Sequence, residues 1–135
     1  MSNIKGFEYC MSEVLTMLYE NFPVPINVNV RELKPGLKDD FSDEGNETVD
    51  VFRHTIHFLK RESYIVTYDK EVKESHIFRE AVLTSKGFAA LNLVPKSLNE
   101  NKTILEQLEQ LKNKSVAIMG TASAAAIFRA FFTGT

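Results

Sequence analysis

Between Thr48 and Leu91 the apolar positions change period. Phe52, Ile56 and Leu59 recur at spacings of four and three, with Val51, Thr55 and Phe58 widening the stripe, which predicts a helix over 48–62. Thr48 stands before this run, where a hydroxyl can accept an otherwise unpaired backbone N–H. Asp50, Arg53, His54, His57, Lys60 and Arg61 are left facing outward. Residues 64–68 and 76–83 are then rich in β-branched and aromatic side chains and predict the two strands of a hairpin. The charged segment 69–74 between them contains no tight-turn dipeptide, so the hairpin has a loose tip. Phe88, Leu91 and Val94 carry a following helix until Pro95.

Upstream, Ile4, Phe7, Met11, Val14, Leu15 and Leu18 form a helical stripe that ends by Asn21, ahead of Pro23 and Pro25. Residues 26–30 alternate strictly and predict a short strand that pairs with the hairpin. Arg31-Glu32-Leu33 open a brief helix that Pro35-Gly36 curtails. Downstream, Ser97 with Glu100 and Thr103 with Glu106 each place a hydroxyl three residues before a carboxylate, so a helix begins at one of them. Ile104, Leu108 and Leu111, with Leu105 beside them, form its apolar stripe, while Glu106, Gln107, Glu109 and Gln110 are expected to face solvent.

From 115 to 132 the only charge is Arg129, and Gly120 and Ala124 at a four-residue spacing permit close approach of another helix. Ile118, Ile127, Phe128, Phe131 and Phe132 therefore need cover, from another protomer, from their own domain or from a partner. A bilayer span takes about twenty apolar residues, which makes the membrane the weaker destination for this segment.

The run Leu59-Lys60-Arg61-Glu62-Ser63-Tyr64-Ile65 resembles the end of a winged-helix recognition helix entering its first wing strand, with Ser63 where such families most often carry glycine. A slightly different turn is expected to avoid the left-handed conformation that glycine permits. Leu83-Thr84-Ser85-Lys86-Gly87 is similar to the leucine-threonine-x-x-glycine step by which bacterial regulators of the MarR and PadR type leave the wing. The resemblance implies an α+β fold: a winged helix-turn-helix domain over 1–96 and a C-terminal helical extension over 97–135. It also implies that the appended helices form a dimer seam, with Ile104, Leu105, Leu108 and Leu111 as association residues.

Charge modifies that picture. The 135 residues are one domain's length, but the formal charge of −2 supplies no basic excess to attract phosphate. From Arg31 to Asp50 seven acids stand against three bases, for a local charge of −4. Those acids flank the N-terminal part of the predicted helix 48–62, the part that faces base edges and phosphates in helix-turn-helix complexes. Against them stand Arg53, His54, Lys60 and Arg61, and in the wing Lys70 and Lys73, each with a glutamate nearby.

Cys10 is the only cysteine, which excludes an intrachain disulfide and points to a packing role in a reducing compartment. Lys5, Glu8 and Glu13 break up any apolar signal region, so the cytoplasm is the expected location. Asp50, His54 and His57 share a helix face with Arg61, whose charge opposes a metal there, and no metal site is assigned. Should the histidines contact a partner, their protonation between about pH 5 and 7 would tune the contact. No nucleophile elbow, metal-ligand motif or glycine-rich nucleotide loop is present, so neither catalysis nor a cofactor is expected. The leading reading is a protein–protein interaction or regulatory assembly module that self-associates or binds a protein partner. The alternatives are a dimeric DNA-binding regulator and a membrane-attached adaptor.

Overall fold

The computed structural model describes residues 2–68, 76–98, 101–113 and 122–135. Lys70 and Lys73 at the hairpin tip, and Ile118 and Gly120 before the last helix, lie outside the described residues. The chain is α+β. In order it forms α1 (Asn3–Asn21), β1 (Ile26–Asn29), a 3₁₀ turn (Val30–Glu32), α2 (Asp43–Arg61), β2 (Ile65–Val66), β3 (Ile77–Leu83), α3 (Ser85–Leu91), α4 (Ile104–Lys112) and α5 (Ala122–Thr133). The described strands form one antiparallel sheet in the order β1-β3-β2.

Helix α1 is the central pillar. Its start is capped by the Ser2 hydroxyl, which accepts the Lys5 N–H at 3.2 Å, and it stops at Asn21, before Pro23. Met11, Val14, Leu15 and Leu18 are all buried, and the helix packs against α2, α4, α5, β1 and β3. Burying each such side chain is worth about 1.5–3 kcal/mol. The same helix buries Glu8, whose Oε1 has no hydrogen-bond partner, and burial raises its carboxyl pKa above the usual carboxylate range. Cys10 packs as the sequence suggests: it is fully buried against the Phe52 carbonyl, and burial pushes its thiol far above the reactive range.

Helix α2 starts five residues earlier than periodicity predicts, at Asp43 instead of Thr48. The Ser42 hydroxyl accepts the Gly45 N–H at 3.1 Å, and Asp43 and Glu44 occupy the first turn, where carboxylates favour the positive helix end. Thr48 is thereby an interior residue, its hydroxyl donating to the Glu44 carbonyl at 3.0 Å. Several acids that read as a loop therefore belong to the helix. Between β1 and α2 the predicted brief helix shrinks to the single 3₁₀ turn. Arg31 holds the following loop by donating to the Leu37 and Asp40 carbonyls and to the Asn46 side chain, with its guanidinium 4.5 Å from the Phe41 ring centroid.

Strand β1 pairs with β3 with one extra residue on β3 between the Val28↔Phe78 and Ile26↔Ala81 pairs. Glu80 sits in that bulge at φ +51°, and its N–H donates to the Asn27 side chain at 3.1 Å. At the other edge β2 pairs through Ile65↔Leu83 and Val66↔Val82.

The turn from α2 into β2 corrects one expectation, because Ser63 does adopt the left-handed conformation, at φ +67°. The Tyr64 N–H returns to the Leu59 carbonyl and the Ser63 N–H to Lys60, the paired bonds of a Schellman ending, which dictate that conformation whatever the residue. The leucine-threonine-x-x-glycine step closes onto this turn. Thr84 donates from its hydroxyl to the Ser63 carbonyl at 2.6 Å while accepting the Gly87 N–H that caps α3. Gly87 lies against the Tyr64 carbonyl so closely that a Cβ there would collide with it.

Of the two candidate capping boxes, the one at Thr103 starts α4, with its hydroxyl accepting the Glu106 N–H and the Glu106 carboxylate accepting the Thr103 N–H. Ile104, Leu108 and Leu111 are buried, as are Ile127, Phe128 and Phe131 of α5, in one core cluster shared with α1, α2 and the sheet. Gln107, expected to face solvent, is buried too, with its amide donating to the Lys102 carbonyl at 3.2 Å.

Candidate interaction surface

The outward face of α2 carries the residues that the sequence proposes for contact, and the fold divides them by role. Asp50 accepts from Arg53 at 2.8 Å and lies 3.6 Å from His54 Nε2, so these three form one surface cluster. Asp50 and His54 are exposed, while the Arg53 side chain retains only 16% exposure. His57 lies beside His54, with ring centroids 6.4 Å apart, and sets its ring edge-on to Phe78 of β3 at 5.2 Å. Lys60 is half-buried, and Arg61 is exposed with its guanidinium 5.5 Å from the Phe58 ring centroid. Among the described residues no group of three His, Cys, Asp or Glu side chains converges on a metal position.

Beside this face runs an open groove of about 430 Å³ between the first turns of α1 and the middle of α2. Ile4 and Phe7 supply one wall, Val51 and Phe58 the other, and Asp50 and His54 lie on the rim. Ile4 reads as part of the core stripe of α1, yet it is 66% exposed, because the start of the helix projects beyond the elements that cover its middle. The Thr55 hydroxyl in the groove donates to the Val51 carbonyl at 2.7 Å, which satisfies it within its own helix. The result is a largely apolar surface with charges confined to its edge, the composition of an interface core and rim.

An aromatic cluster stiffens one end of the groove. Phe7 meets Phe58 edge-on at 5.6 Å, and Phe132 of α5 stacks on Phe7 at 6.3 Å and meets Phe58 at 5.6 Å. The structure thus joins Phe132, an association candidate, to the α2 surface, which is far from it in sequence. The other association candidates are placed differently. Ile104, Leu108, Leu111, Ile127, Phe128 and Phe131 are inside the chain's own core and Leu105 is half-buried, so their apolar surface is already covered. Lys112 fastens α4 to α1 by donating to the Thr16 hydroxyl at 2.9 Å, 3.6 Å from Glu13.

Sequence reasoning assigns Ile4 and Phe7 to the core and so misses their part in the groove. The available signal was position: a stripe residue within the first turn of a helix has fewer neighbours to bury it. Among the described residues no helix is long and apolar enough to cross a membrane. The chain matches no family model, no curated protein and no solved structure.

Proposed function

We infer that the chain is a winged-helix protein without catalytic activity that acts as a protein–protein interaction or regulatory assembly module through the α1–α2 groove. The winged-helix reading is supported by the order of helix, strand, helix and hairpin, by the pairing of β1 with β3, and by the Leu83 to Gly87 step. The observation that carries the function is the open groove of Ile4, Phe7, Val51 and Phe58 beside the outward face of α2. A reducing cytoplasm is the proposed compartment, in keeping with the single buried thiol.

A second reading, a dimeric DNA-binding regulator, draws on the cationic half of α2 with Arg53, His54, Lys60 and Arg61. Against it stand Asp43, Glu44, Glu47 and Asp50 in the other half, which would meet phosphates and bases first. The test is a titration of mixed DNA fragments with the full chain across a salt series. No binding at low salt by folded protein is the expected result. Binding that weakens with salt and in the Lys60→Ala/Arg61→Ala variant would make the regulator reading primary.

A further inference from the structure

The outward line of α2 runs through Asp43, Glu47, Asp50, His54, Phe58 and Arg61, so one face of a single 19-residue helix carries three carboxylates in its first half and the Arg61 guanidinium at its end. Because the helix starts at Asp43, both signs lie on one rigid rod about 28 Å long. The groove opens beside the middle of that rod, around Val51, His54 and Phe58. A surface with an apolar flank and oppositely charged ends is self-complementary under a two-fold axis, because antiparallel docking sets each acidic half against the basic end of the other copy. Parallel docking would set like charges together.

We propose that the occupant of the groove is a second copy of this chain, docked with its α2 antiparallel to the first about a two-fold axis near His54. This rests on the interaction-module reading and names its partner. Glu47 and Arg61 lie seven residues to either side of His54. They share its face, since seven residues are close to two helical turns. With His54 on the axis, Glu47 of one copy faces Arg61 of the other, and this pairing occurs twice. Between the two pairs the same axis sets Asp50, already paired with Arg53 at 2.8 Å, opposite Phe58 of the other copy, and Ile4, Phe7 and Val51 of both copies close the apolar flank of the seam. The helix face with the shoulder of α1 offers on the order of 500 Å² per protomer, the low end for specific association, so a micromolar, exchanging dimer is the expected species.

The experiment is sedimentation of the full chain from 1 to 300 µM, with far-UV circular dichroism to confirm that each variant is folded. Wild type is expected to pass from monomer to dimer across this range. Ile4→Glu, at an exposed position, is expected to abolish the dimer. Glu47→Arg and Arg61→Glu are each expected to weaken it about tenfold, since each breaks two exposed ion pairs and sets like charges together. The double variant is expected to recover wild-type affinity, which no effect on folding alone would produce. Wild type that stays monomeric overturns the proposal, as does a dimer indifferent to Ile4→Glu or a double variant weaker than either single one. The DNA titration on the same samples separates the two readings. A monomer that binds no DNA overturns the second copy alone, and a monomer that binds DNA in a salt-dependent way overturns the interaction module as well.

Discussion

Helices α4 and α2 are both amphipathic, and both carry an apolar stripe beside charged positions, but the fold treats them differently. The stripe of α4 is covered within the chain: Ile104 and Leu108 lie against α1 and α5, and the cover extends to Phe131, which rests on Tyr64 at 4.7 Å. Helix α2 buries Phe52, Ile56 and Leu59 in the same core, yet leaves Val51 and Phe58 in a groove with the exposed Ile4. The difference teaches that an apolar stripe shows only that cover is required. Here the stripe of α4, expected from the sequence to meet a second chain, is closed inside the protomer, and the open surface lies beside α2.

Breaking the closed region should cost most. Phe131→Ala removes a ring that is 1% exposed and is expected to destabilise the chain by about 3–5 kcal/mol in denaturant unfolding. A loss below about 1 kcal/mol would mean that α5 is an appendage and not part of the core. The junction between the two regions comes next. Gly87→Ala drives a methyl group into the Tyr64 carbonyl and should cost about 1–3 kcal/mol, read as a lower melting temperature. Ser63→Gly, at the adjacent left-handed position, should shift the transition the other way by about 1 kcal/mol. Ile4→Ala should change stability least, within about 0.5 kcal/mol, because the side chain is already exposed. A large loss there would show that the open groove is part of the fold's own support.

Much of the architecture was legible locally. The stop of α1 at Asn21, the pairing strand after it, the hairpin and the capping box at Thr103 all follow from residues within a few positions of one another. The start of α2 was misplaced because Asp43, Glu44 and Glu47 lack apolar periodicity, although Ser42 with acids behind it is itself a helix-start signal. Gln107 was misplaced because its burial is decided by the backbone carbonyl of Lys102 and by the neighbours of α4. The candidate surface was half legible. The α2 residues were singled out, but Ile4 and Phe7, the other wall of the groove, belong to a segment more than forty residues away.

By itself, the sequence determined the order of the helices and strands, the apolar stripe of each main helix, and the polarity of charge along α2. These properties depend on periodicity, caps and breakers, all of which act within one or two turns of the backbone. Tertiary structure alone decided which apolar faces are covered, that the Thr84 hydroxyl closes onto the Ser63 carbonyl, and that Phe132 joins Phe7 and Phe58. The reason is that burial belongs to a pair of surfaces. Which distant segment supplies the second surface depends on how the whole chain closes around α1.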